Sequence, residues 1–138
     1  MNPALIIPTL NDGPDWETVL SDIDVQTWRP DQKILLDSCS TDRTAELAEK
    51  QGFEIHSIQP EAFNHCLIHQ VGANLCPDAD ILIFITQDTV PTDLKAFETL
   101  LECFQNPQIP AAYRHQLPRP TVTHRTDSGK ISKKHPVI

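Results

Sequence analysis

A chain of 138 residues with 39% hydrophobic content suits a single domain that buries roughly two-thirds of its unfolded surface, and it is too apolar for wholesale disorder. Its net charge of −8 is unevenly spread: residues 1–116 carry 6 Lys or Arg against 18 Asp or Glu, a balance of −12, whereas residues 117–138 carry 5 against 1, a balance of +4. The acidic body argues against a general affinity for nucleic acid, and no apolar run approaches the roughly 20 residues that span a bilayer.

In chain order, ALII (4–7) reads as a strand, and LNDGP after it as a turn carrying Gly13 and Pro14. Trp16, Val19, Leu20 and Ile23 follow helical spacing, and KILLD (33–37) is the next strand. SCSTD then leads into a helix from about Asp42, with a Glu46–Lys50 pair one turn apart and Gly52 as its C-terminal stop. FEIHSI (53–58) is the third strand. Ala62, Cys66, His69, Ala73 and Cys76 recur at steps of four and three, which predicts a helix with a small-residue face. ILIFIT (81–86) is the fourth strand, and Thr92 is placed to cap a helix whose Leu94, Phe97, Leu101 and Phe104 form one apolar stripe. AAYRHQL (111–117) is a candidate fifth strand. The remainder, LPRPTVTHRTDSGKISKKHPVI, holds three prolines and only isolated apolar residues, so residues 118–138 read as a basic, disordered tail on a domain spanning 1–117.

Strands that alternate with helices imply βαβ units: an α/β fold with a mostly parallel sheet and helices on both faces. MNPALIIPTLND has no basic start and too short an apolar core for a secretory signal, which implies a cytoplasmic chain. Cys39, Cys66, Cys76 and Cys103 have no CxxC spacing and are expected as free thiols. His65 and His69 stand one turn apart with Cys66 beside them, but no second ligand pair has zinc spacing, so this is read as a helix face.

In a parallel sheet, ligands bind at the carboxyl ends of the strands, near the point where strand order reverses. Asp37 and Asp88 both stand where a predicted strand stops, so both are expected along one crevice. Carboxylates there suit a ligand that carries phosphate and a hard cation, since Mg²⁺ takes one or two carboxylates plus phosphate oxygens. Four glycines, with neither GxxxxGK[ST] nor GxGxxG, leave a metal as the expected anchor for a diphosphate. Two structural alternatives stay open. Asp88 can flank the helix that follows Pro91, and Asp37 can cap the helix that follows it.

The segments IIPTLN (6–11), LLDSCSTDRTAELAEKQGF (35–53), FNH (63–65), GAN (72–74), LIFITQDTVPTD (82–93) and QLPRP (116–120) together resemble family 2 glycosyltransferases, in the rhamnosyltransferase-like branch. The resemblance implies a Rossmann-like GT-A fold, a nucleotide-diphosphate sugar with Mg²⁺ or Mn²⁺, and inverting transfer in bacterial polysaccharide synthesis. It implies that Pro8 and Thr9 flank the nucleotide, that Asp37 lies near the base and ribose with Ser38 beside it, and that Asp88 holds the metal. In TQD, Thr86 stands where the family's DxD motif has its first acid.

The departures also carry expectations. Cys39 replaces a glycine in DSGSTD, where a left-handed residue would cost roughly 1–2 kcal/mol. His69 replaces an arginine expected near the phosphates, and Gln70 an asparagine. The family's acceptor-binding half and its base are not matched, which implies a donor-binding half. The alternative is a non-catalytic module that binds only nucleotide or a partner protein, with apolar surface for a second copy or another chain to cover.

Overall fold

A computed structural model describes residues 1–59 and 64–114. The chain divides into two compact units, residues 1–99 and the residues from 100 onward. The expected start of a helix at Ala62, the Phe63 of FNH and the 118–138 tail lie outside the described residues.

The first unit holds four strands, β1 (Pro3–Thr9), β2 (Gln32–Asp37), β3 (Glu54–Ser57) and β4 (Ile81–Phe84), all parallel, in the order β3-β2-β1-β4. Three helices connect them: α1 (Trp16–Asp24), α2 (Thr44–Lys50) and α3 (His65–Leu75). The apolar runs ALII and ILL are fully buried because both faces of these strands are covered. Side chains alternate across the sheet. Ala4, Ile6, Ile34 and Leu36 join Ile58, Ile68 and Cys76 in one core layer under α3. Leu5, Ile7, Leu35 and Ile83, of opposite parity, are buried on the other side, and α1 and α2 pack together with Trp16, Val19, Leu20, Ile23 and Ala48 buried.

The handedness of βαβ connections explains this division. Right-handed crossovers from β1 to β2 to β3 place α1 and α2 on one face, and the return from β3 to β4 carries α3 over the other. Close contact makes that second face possible: a Cβ at Gly72 would sit 2.9 Å from Cδ1 of Ile6 and 3.1 Å from Cε1 of Phe84. Trp16 locks the first face, its indole N–H donating to the Thr44 carbonyl at 2.8 Å. Burying side chains of this size contributes roughly 1.5–3 kcal/mol each.

Gly52 ends α2 as expected, at φ 79°; its N–H donates to the Glu49 carbonyl and that of Phe53 to the Ala48 carbonyl, the paired bonds of a Schellman stop. The Glu46–Lys50 ion pair forms, with Arg43 also on Glu46.

Three expectations are corrected. Helix α4 (Ala96–Glu102) begins four residues after Thr92, and the carboxylate of Asp93 accepts the Lys95 N–H at 2.9 Å. Leu94 therefore precedes the helix and is exposed, its carbonyl instead accepting from the N–H of Thr27 at 2.8 Å, while Phe97 is buried with its ring edge-on to Trp28. Residues 111–114 have no regular structure, and 115–117 of the expected fifth strand lie outside the described residues.

Candidate functional site

Strand order reverses at β1: β2 and β3 lie to one side of it and β4 to the other. The switch-point crevice therefore opens between the carboxyl ends of β1 and β4. Pro8 gives a physical reason for the opening. The N–H of Ile85 donates to the Ile6 carbonyl, so the even residues of β1 turn their backbone polar groups toward β4. The next donor on that side would be Pro8, which has no N–H. Thr9, of the other parity, still pairs with β2, its carbonyl accepting the Ser38 N–H at 2.9 Å. Pairing of β1 with β4 ends at Ile6 and Phe84, whereas pairing with β2 continues to Thr9 and Asp37.

On the β1–β2 side the edge is closed by side chains. Asp37, 4% exposed, accepts the Ser40 N–H at 2.9 Å, the Ser40 hydroxyl, and the Thr9 hydroxyl at 3.4 Å. The loop it organises turns through Cys39 at φ 62°, the left-handed residue expected at the glycine position. Asn11, also left-handed at φ 44°, accepts the Thr41 N–H at 2.8 Å. Four successive amides after β1 are taken by side chains: Leu10 by Gln87, Asn11 by Ser40, Asp12 by Thr44 and Gly13 by Asp42. A phosphate therefore has no ready nest of N–H groups in this loop. The Thr44 hydroxyl and backbone N–H, with the Gly13 N–H, hold the Asp42 carboxyl below the usual carboxylate range.

On the β1–β4 side the edge is open. A turn over Thr86–Thr89 is closed by the Thr89 N–H on the Thr86 carbonyl at 3.0 Å. Within it the Thr86 hydroxyl donates to Oδ1 of Asp88 at 2.7 Å and lies 2.7 Å from the Thr89 hydroxyl. Asp88 is exposed. Gln87 bridges the opening, its Oε1 accepting the Leu10 N–H at 2.7 Å and its Nε2 donating to the Leu10 carbonyl at 3.3 Å.

No family model matches the chain. The O-antigen chain rhamnosyltransferase RfbN of Salmonella typhimurium is 37% identical over 96% of this chain and 44% of its own length. For the O-antigen chain rhamnosyltransferase WbaN of Salmonella anatum the figures are 33%, 83% and 37%. The chain thus spans less than half the length of these curated relatives. The fold is shared with the mannosyltransferase PcManGT from Pyrobaculum calidifontis, whose structure is a complex with GDP-Man and Mn²⁺: TM-score 0.68, 17% identity, over 78% of this chain and 33% of that one. Over most of its length the chain is thus similar to one part of these O-antigen chain rhamnosyltransferases, in line with the family 2 resemblance of its segments. Its sheet is the parallel, Rossmann-like sheet of the GT-A fold.

Within this GT-A sheet the sequence-derived residues fall into three groups. Thr9, Asp37 and Ser38 meet at the closed β1–β2 edge, and all three are buried. Pro8 borders the opening, and Asp88 lies beyond β4, on the far side of β1 from Asp37. With strands about 4.8 Å apart, β2 and β4 are separated by roughly 10 Å. His69 is on α3, exposed, with its ring tilted on that of Phe84, the last residue of β4, at 4.3 Å between centroids. Among the described residues no group of three or more His, Cys, Asp or Glu gathers to hold a metal, and no helix is long and apolar enough to cross a membrane. Sequence reasoning missed Gln87, Asn11, Ser40 and Thr44. Their polar side chains between a strand end and a helix were the available signal, and their partners lie about 30 or more residues away.

Proposed function

We propose that this chain binds a nucleotide-diphosphate sugar with Mg²⁺ or Mn²⁺ at the β1–β4 crevice, and serves inverting glycosyl transfer in bacterial polysaccharide synthesis. One observation carries the reading: an exposed carboxylate, Asp88, stands on a turn bonded across the switch point of a GT-A sheet. The donor set fits a hard cation. Asp88 offers oxygen, and with no further cluster of ligating side chains among the described residues, substrate phosphates and water would complete the shell. The amides of residues 10–13 are occupied, which leaves the cation as the counter-charge for a diphosphate. When bound, it would neutralise the leaving diphosphate as the sugar gains oxocarbenium character.

Ser38 fits a ligand too. Its hydroxyl is buried with no hydrogen-bond partner among the described residues, a state that costs roughly 1–3 kcal/mol and that a polar atom of a nucleotide at the β1–β2 edge would relieve. Pro8 and Thr9 form the adjoining rim, and His69 is the nearest replacement for the family's phosphate-side arginine. A neutral imidazole lacks the guanidinium's paired donors, so donor binding is expected to be weak.

The test is calorimetric titration with GDP, UDP and dTDP, each with and without Mn²⁺ or Mg²⁺. The reading expects affinity that depends on the metal; equal affinity in its presence and absence overturns it. A second reading, binding without transfer, is favoured by the engagement of the edge carboxylates Asp37 and Asp42 in loop hydrogen bonds, which keeps them from serving as a base for an acceptor hydroxyl. Turnover above about 0.1 per second with nucleotide sugars and candidate acceptors would sink that second reading.

A further inference from the structure

We infer that Gln87 is a positioning residue: its side-chain amide takes the place of the backbone ladder that Pro8 interrupts, and so fixes the turn bearing Asp88 at the mouth of the crevice. This rests on the reading of Asp88 as the cation ligand. The last backbone bond between β1 and β4 runs from the Ile85 N–H to the Ile6 carbonyl. Past Pro8 the two strand ends have nothing in their backbones to hold them at a set distance. Gln87 supplies it, because a primary amide presents a donor and an acceptor in one plane, as a peptide group does. Its Oε1 and Nε2 meet the N–H and carbonyl of a single residue, Leu10, at 2.7 and 3.3 Å. Glutamate would lack the donor and lysine the acceptor; asparagine would be one methylene short.

The next residue is Asp88. The Thr86 hydroxyl on its Oδ1 and the Thr89 N–H on the Thr86 carbonyl make the turn one unit, so an anchor at Gln87 orients the carboxylate. Leu10 is itself anchored to β1, which lies in the middle of the sheet. The carboxylate is thus referenced to a buried inner strand, although it lies in an exposed loop. Fixing a ligand group beforehand removes the ordering cost that would otherwise fall on cation binding.

The experiment compares wild type with Gln87→Met, which keeps the length and loses both polar ends. Amide hydrogen exchange at Leu10 and Thr89 is read without ligand, and affinity for GDP and UDP is read with and without Mn²⁺. The expected result is exchange about tenfold faster at both amides and a Mn²⁺ enhancement reduced about tenfold, with metal-free affinity unchanged. Gln87→Glu, which keeps the acceptor for the Leu10 N–H, is expected to retain protection at Leu10; Gln87→Asn, one methylene too short to reach it, is expected to lose it and serves if the methionine variant folds poorly. Unchanged Thr89 exchange once the Leu10 bond is lost would overturn the inference. If wild type itself shows no Mn²⁺ enhancement, the Asp88 reading fails, while Thr89 exchange still decides whether Gln87 positions the turn.

Discussion

Between β1 and β2 the carboxyl edge is closed by backbone pairing to the last residue, a buried carboxylate and side chains that accept the amides of Asn11, Asp12 and Gly13; between β1 and β4 the ladder stops early and one amide side chain spans the gap. The two sides border the same strand, and the difference between them follows from parity. Toward the carboxyl end of β1 the odd residues, Ile7 and Thr9, face β2 and keep their donors, whereas the even ones face β4 and include Pro8. A single ring closure at nitrogen thus makes one side a scaffold and the other a cleft. Apart from the Ser38 hydroxyl, the polar groups described on the scaffold side are committed to folding, whereas Asp88 on the cleft side is proposed to meet a ligand. Two carboxylates at strand ends on either side of β1 can accordingly do different work: Asp37 holds the fold, and Asp88 is proposed to hold a cation.

If that division is right, Asp37→Ala has the largest effect on stability. It leaves the Ser40 N–H and hydroxyl and the Thr9 hydroxyl without their acceptor, at a cost of about 3 kcal/mol, or a drop of about 10 °C in Tm by calorimetry. A drop under about 2 °C would show that the closed side does not depend on it. Asp88→Asn is the converse. Metal-dependent nucleotide affinity is expected to fall about 100-fold, equivalent to about 2.7 kcal/mol, while Tm stays within about 2 °C. A large loss of stability there would assign Asp88 to the scaffold as well.

Much of this was legible from residues alone. Four strands and the parallel sheet follow from short apolar runs separated by helical periods, and Gly52 and Cys39 announce their left-handed turns. The family motifs singled out Pro8, Thr9, Asp37, Ser38, His69 and Asp88 as candidates. The division of labour among them was not legible, because it depends on which strand lies between which. Strand order β3-β2-β1-β4 sets Asp37 and Asp88 on opposite sides of β1, and no periodicity within a strand reports its neighbours. Leu94 shows the same limit. Helical spacing included it in a stripe, yet the chain before α4 is held by bonds to Gln26 and Thr27, residues close to 70 positions away.

Pro8→Ala sharpens the comparison at lower cost. The new N–H would face β4 and could extend the ladder by one bond toward Ile85, narrowing the opening. The bond gained, about 1 kcal/mol, is offset by the entropy the alanine restores to the unfolded chain, roughly 0.4–1 kcal/mol, so Tm should hardly move. Metal-dependent affinity is expected to fall about threefold, or roughly 0.7 kcal/mol. Slow hydrogen exchange of the new amide would show that the ladder had extended; rapid exchange with unchanged affinity would mean that something other than the proline keeps the crevice open.

The smallest effect belongs to Asp42, which lies at the solvent margin of the closed side. The Thr44 hydroxyl, with the Thr44 N–H at 2.9 Å and the Gly13 N–H at 3.2 Å, donates to its carboxylate and holds it below the usual carboxylate range. A carboxyl whose folded pKa is depressed contributes stability above its unfolded pKa and loses it as pH falls through the folded value. The contribution is therefore present at neutral pH and disappears below about pH 4, and exposure to solvent keeps it small. Asp42→Asn retains an acceptor oxygen but not the charge, so it should lower Tm slightly at pH 7 and not at all at low pH. The two melting profiles are expected to converge as acid is added. Profiles that stay parallel at every acid pH at which the domain is folded would show that the loop depends on the geometry of the acceptor and not on its charge.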